Sequence, residues 1–159
     1  MTNDTITRDI VINASPETVY DVVSRPEHIA KWFSDEAELE PVAGGRGVLT
    51  FRVDQRRSVP SVIDVTVISA DRPHLFAFSW ISPERQRATP DATDAVLVEF
   101  RITAEPEGTR LAVSESGLDS VDWDDATKAA YAAGHAARWE ELLPQLRVYA
   151  EGLVTHGSE

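Results

Sequence analysis

A helical stripe near the C-terminus most restricts what this chain can fold into. From about Asp122 to Leu153, residues Tyr131, His135, Arg138, Trp139, Leu142, Leu146, Tyr149 and Leu153 recur at spacings of three and four, which places them along one side of a single long helix. Asp122, Asp124 and Asp125 stand at its start, where the helix dipole favours negative charge. Pro144 removes one backbone donor, so a kink is expected about one turn past Trp139, or a break there. A helix with only one apolar stripe must bury it against another surface.

The rest of the chain supplies that surface as strands. Ile6, Ile10 and Ile12 share one face of a period-2 segment ending at Asn13, which predicts an opening strand. Ser15 and Pro16 read as the cap and first position of a short helix ended by Pro26, and Pro26 to Phe33 as a second short helix. Strands are expected at Glu36–Glu40, at Val48–Val53 after the turn Gly44-Gly45-Arg46-Gly47, and at Ser61–Ser69 as the partner of Val48–Val53. Beyond the turn Ala70–Pro73, residues Phe76, Phe78 and Trp80 share one strand face. Ser82–Asp94, with Pro83 and Pro90, reads as an exposed loop. Val96, Val98, Phe100 and Ile102 then alternate with Leu97, Glu99, Arg101 and Thr103, and Pro106-Glu107-Gly108 turns the chain into Thr109–Ser116, the clearest hairpin of the sequence. On its second strand Glu115 shares a face with Leu111 and Val113.

Helices segregated from a sequential run of strands indicate α+β with an antiparallel meander, not a parallel sheet. The expected architecture is a curved antiparallel sheet of about six to seven strands wrapped around the long helix, with two short helices after the first strand. At 159 residues, 42% of them hydrophobic, one core suffices, and a single domain over 1–159 is expected, its core spanning about 5–154.

Composition excludes several chemistries. There is no cysteine, which removes disulfides, thiolate metal sites and cysteine nucleophiles and fits a cytoplasmic setting. Met1-Thr2-Asn3-Asp4-Thr5 is unlike a secretory leader, and no apolar segment approaches the ~20 residues of a membrane span. A formal charge of −12, from 27 acidic and 15 basic residues, opposes attraction to nucleic acid or anionic lipid. Arg56-Arg57 and Arg85-Gln86-Arg87 read as solvated loop charges, and Arg8 as a strand-end side chain reaching solvent. No GxSxG, HExxH, P-loop or GxGxxG motif occurs, and His28, His74, His135 and His156 lack metal-ligand spacing. No catalytic residue, metal or cofactor is expected.

Several segments, taken together and in order, resemble the START-like or Bet v 1-like (SRPBCC) helix-grip superfamily, in its branch of activator of Hsp90 ATPase homologues. They are Ala14–Tyr20, Pro26–Phe33, Ala70–Trp80, Gly108–Leu111 with Ser114–Leu118, and Gly134-His135 with Trp139–Leu143. Arg138 stands where that family usually has glycine before the tryptophan. The resemblance implies a cavity between the sheet's concave face and the long helix, entered near the second short helix. Its expected borders are Trp32, Phe33, Phe51, Val65, Phe78, Trp80, Val98, Phe100, Val113, Tyr131, His135, Trp139 and Leu142.

Glu115, Arg138 and His135 add polar groups to this otherwise apolar list, where an ionisable side chain costs several kcal/mol unless paired or wet. They read either as groups orienting a ligand's hydroxyl, carbonyl or carboxylate, or as a structural Glu–Arg pair or a helix residue turned to solvent. The leading functional expectation is a binding protein for a small apolar or amphipathic ligand: a lipid, a polyketide-like compound or another metabolite, held by a monomer or homodimer. The alternative is an aromatase/cyclase-type enzyme using His135, Glu115 and Tyr131 as acid–base groups. An Hsp90 co-chaperone role follows only from the family's name.

Overall fold

The opening period-2 segment forms strand β1 (Ile6–Ile12), after which the Ser15 hydroxyl accepts the Thr18 amide at 3.1 Å and caps helix α1 (Pro16–Ser24). The fold is described from a computed structural model covering residues 6–51, 61–81, 96–117 and 124–155. Pro26 begins helix α2 (Pro26–Trp32), whose last turn is closed by Phe33 donating its amide to Ile29. There follow β2 (Glu36–Leu39), β3 (Arg46–Phe51), β4 (Ser61–Asp71), β5 (Leu75–Trp80), β6 (Val96–Glu105), β7 (Gly108–Ser116) and the long helix α3 (Asp125–Thr155).

The seven strands form one antiparallel sheet in the order β1-β7-β6-β5-β4-β3-β2. The meander from β2 to β7 is therefore sequential, and the first strand of the chain closes it by pairing with the last, Ile10 opposite Leu111. The helix-grip expectation holds. Alternation decides the buried face: Leu49 and Phe51 on β3, Ile63, Val65 and Val67 on β4, Val96, Val98, Phe100 and Ile102 on β6, and Leu111, Val113 and Glu115 on β7 are all buried. The stripe of α3 meets that face through Tyr131, His135, Trp139, Leu142, Leu146 and Ala150.

Polar contacts fix how the helix lies on the sheet. The Arg8 guanidinium donates to Glu140 at 2.9 Å, so this strand residue reaches the helix as well as solvent. Further on, the Asn13 amide donates to Glu151 at 2.9 Å. Asp124 accepts the Thr127 amide at 2.7 Å and caps α3, in keeping with acidic residues at this end. The helix runs continuously through Pro144, so the proline does not break it. Gly108 turns the β6–β7 hairpin with φ +148°, and a Cβ there would stand 2.4 Å from the Ile12 carbonyl oxygen, so this close approach of backbone to β1 requires glycine. The expected loop 82–94, Arg56-Arg57, Asp122 and His156 lie outside the described residues.

Candidate functional site

The concave face carries a layer of aromatic rings brought together from five elements. Phe33, at the end of α2, lies at its centre. Its ring stacks on Trp139 of α3 (centroids 5.7 Å apart, planes 18°) and on Trp32 (5.2 Å, 27°), meets Phe51 of β3 edge-on at 5.6 Å, and lies 5.7 Å from Trp80 of β5. Phe100 packs edge-on against Trp139 at 5.9 Å and against Trp32 at 6.2 Å, and Phe78 packs edge-on against Trp80 at 5.8 Å. Offset and edge-on arrangements are those the ring quadrupole favours. Trp32, Phe51, Trp80 and Trp139 are buried, whereas Phe33 is only half-buried.

Between these rings and the strands lies an apolar cavity of about 10 Å³, lined by Val23, Ile29, Trp32, Phe33, Leu39, Leu49, Val65, Phe78 and Phe100. That is room for about one water, and the lining offers water no polar partners. Among the described residues, the rings themselves fill this part of the space between sheet and helix. A larger hollow of about 510 Å³ opens at the β2–β4 side, bordered by Glu38, Glu40, Arg46 and Asp64 among others. Its walls mix Leu39, Val48 and Val65 with four charged side chains and lack aromatic rings, so it is the poorer match for an aromatic ligand despite its size.

Behind Trp139 is a polar cluster built on Glu115, which is 2% exposed. Its Oε2 accepts the Tyr131 hydroxyl at 2.5 Å, and its Oε1 accepts from His135 Nδ1 at 3.0 Å and from Trp139 Nε1 at 3.2 Å. The Tyr131 and His135 rings stack face to face, 3.9 Å apart. Alternation on β7 turns Glu115 inward in register with Val98 of β6, and helical spacing aligns the three donors above it. Burial by itself pushes the Glu115 carboxyl up. The hydrogen bond and charge of His135, with the bonds from Tyr131 and Trp139, outweigh burial and hold the pKa below the usual glutamate value.

The thirteen expected border residues and Glu115 all lie in or against one core, and of them Trp32, Phe33, Val65, Phe78 and Phe100 line the cavity. Arg138 is placed apart: it is partly exposed and pairs with Glu141 at 3.5 Å, as the reading of a helix residue turned towards solvent has it, while Glu115 bonds to His135, Tyr131 and Trp139. Val23, Ile29, Leu39 and Leu49 line the cavity without having been singled out; Leu49 was readable, since it shares strand parity with Phe51. The Trp32 indole donates to the Val22 carbonyl at 2.9 Å, while the buried Trp80 Nε1 has no hydrogen-bond partner among the described residues. Among the described residues, no group of three His, Asp or Glu is arranged to hold a metal, and no helix is long and apolar enough to cross a membrane.

The family model of Activator of Hsp90 ATPase homolog 1-like proteins matches residues 13–151. No curated protein sequence matches the chain. Among solved structures, the chain is similar to protein BH1534 of Bacillus halodurans, with 25% identity, TM-score 0.68, and 92% of this chain and 97% of that one covered. It is similar to the Aha1 dimer of Colwellia psychrerythraea, with 17% identity, TM-score 0.67, and 92% and 94% covered. It is also similar to DynU16, from the dynemicin biosynthetic locus, with 19% identity and TM-score 0.68; the match covers 94% of this chain but spans about half, 48%, of DynU16.

Proposed function

This chain belongs to the Activator of Hsp90 ATPase homolog 1-like family of the START/Bet v 1 superfamily, and from that premise we propose that it binds a small hydrophobic or aromatic molecule between its sheet and α3. The observation that carries the proposal is the aromatic layer around Phe33. A partly buried ring occupies the centre of buried aromatic walls, above a void with no polar lining. Pockets for such ligands are mostly apolar, with few polar groups, and displacing one ring from the layer enlarges the void without unpairing a buried hydrogen bond. In this reading Trp32, Phe33, Phe51, Val65, Phe78, Trp80, Val98, Phe100 and Trp139 surround the ligand, which enters beside the end of α2. The Glu115 cluster holds Trp139 and α3 in place. A single domain acting in the cytoplasm, as monomer or homodimer, suffices for sequestration or transport.

The test is a thermal-shift and tryptophan-fluorescence titration with oleate, 1-naphthol, flavone and an anthraquinone. A ligand binding only the folded state at one hundred times its Kd raises stability by about 2.7 kcal/mol, and rings placed between Trp80 and Trp139 alter indole emission. If no member of the panel moves either signal, the proposal is wrong.

A second reading, an aromatase/cyclase-type enzyme, is favoured by one observation: an imidazole and a phenol lie within hydrogen-bonding distance of the same carboxylate. Such a trio can relay a proton. It ranks second because Glu115 already accepts three hydrogen bonds behind Trp139. Cyclisation of a poly-β-ketone substrate that survives Glu115→Gln and His135→Ala at the wild-type rate would remove these residues from a catalytic role.

A further inference from the structure

One buried polar group stands out against the otherwise satisfied interior. Trp32 and Trp139 are buried like Trp80, yet their indole nitrogens donate to the Val22 carbonyl and to Glu115. The Trp80 nitrogen, in a residue only 4% exposed, has no acceptor among the described residues. A buried donor without an acceptor forfeits the full cost of its desolvation, and indole N–H groups usually find a partner when buried. Nothing in the packing of β5 requires tryptophan here for a hydrogen bond. Phe78, two residues earlier on the same strand face, fills its place with an apolar ring.

The neighbour of this orphan donor is the ring best able to leave. Phe33 lies 5.7 Å from Trp80, centroid to centroid, and stacks nearly parallel to Trp139 on another side. It is half-buried where its neighbours are buried, and it ends α2, so rotation about its side-chain bonds carries the phenyl outward without unwinding the helix. The space it vacates has flat aromatic walls and joins the apolar cavity beneath. An aromatic ring in that space takes Phe33's place beside the Trp80 ring, 5.7 Å from it between centroids with the planes at 42°.

Resting on the ligand-binding reading above, we propose that Phe33 holds the place of a planar aromatic ligand, and that the Trp80 indole N–H recognises a carbonyl or similar acceptor on that ligand. The ligand class is then narrower than hydrophobic molecules in general: fused or linked aromatic rings bearing a carbonyl, rather than a fatty acyl chain or a bare hydrocarbon. Exchange of the intramolecular ring for the ligand ring conserves the stacking on Trp139 and gives the Trp80 N–H an acceptor that it lacks among the described residues.

The probe pair is 9-fluorenone and fluorene, which share a flat tricyclic shape and differ by the carbonyl. Wild-type protein is expected to bind 9-fluorenone about tenfold more tightly than fluorene, the effect of one hydrogen bond to a donor otherwise unpaired. Trp80→Phe, or replacement of Trp80 by 3-benzothienylalanine, which keeps the bicyclic shape but has sulfur in place of N–H, should abolish this preference. In the wild-type protein the Trp80 indole proton resonance should move downfield with 9-fluorenone and not with fluorene. Phe33→Ala should tighten binding of both probes while retaining the preference.

Equal affinity of wild type for both probes, or a preference that survives loss of the Trp80 N–H, would overturn this inference and leave the general ligand-binding reading standing. Failure of both probes to bind wild type and Phe33→Ala alike would overturn the inference, and a negative result with the wider panel as well would overturn the reading beneath it.

Discussion

Replacing Glu115 with glutamine removes the charge at the centre of the buried cluster and changes little else in shape. Three donors, from Tyr131, His135 and Trp139, converge on the carboxylate. A hydrogen bond to a charged group contributes about 1 kcal/mol more than a neutral one, so the three together lose about 3 kcal/mol. The amide escapes the burial penalty of the carboxylate, which offsets part of this and leaves an expected loss of about 1–3 kcal/mol. At roughly 2–4 °C per kcal/mol for a chain of this size, the melting temperature should fall by about 2–12 °C.

The sign follows from the carboxyl's lowered pKa: contacts in the fold favour the charged form over the neutral one despite burial, and glutamine mimics the neutral one. Urea denaturation of both proteins at pH 7 measures the gap through their midpoints at equal m-values. Because the folded pKa is depressed, the stabilisation is fully present above the unfolded value of about 4.5. It is lost as pH falls through the folded value, with a slope of at most about 1.36 kcal/mol per pH unit. A variant as stable as wild type at pH 7, or a gap that widens below pH 4, would refute the reasoning.

Other substitutions probe other joints of the fold. Trp32→Phe should cost about 1–3 kcal/mol by urea denaturation, because it leaves the buried Val22 carbonyl without the indole donor it now has at 2.9 Å. Gly108→Ala should lower the melting temperature by several degrees, since the new Cβ meets the Ile12 carbonyl oxygen at 2.4 Å and φ is +148°; a neutral result would mean the hairpin relaxes freely away from β1. Glu140→Ala removes the partner of Arg8 from a pair exposed on both sides, so its cost at 0.15 M salt should stay below about 1 kcal/mol.

Much of the architecture was legible because two periods carry it. Period 2 put Phe78 and Trp80, Val98 and Phe100, and Val113 and Glu115 on inward faces, and the three-and-four spacing put Tyr131, His135, Trp139 and Leu142 on the stripe that meets them. The same spacing misplaced Arg138. One residue before Trp139 is about 100° around the helix, at the flank of the stripe, where a long side chain reaches Glu141 and solvent. Strand parity and helix phase made Glu115 inward but could not name its partners, since these depend on how β7 and α3 are set against each other. The filling of the interior by Phe33 was also beyond reach. It lies in a turn between α2 and β2, where no period applies, and the volume left between sheet and helix is a tertiary quantity.

The central claim is that the space now filled by Phe33 takes a ligand. The most direct measurement is a crystal structure of the protein with whichever member of the panel raises its melting temperature most. The account predicts the ligand between sheet and α3, stacked on Trp139 beside Trp80, with the Phe33 ring displaced outward. A ligand in the larger hollow bordered by Glu38, Arg46 and Asp64, or on the outer face of the sheet, with the Phe33 ring still stacked on Trp139, would contradict it.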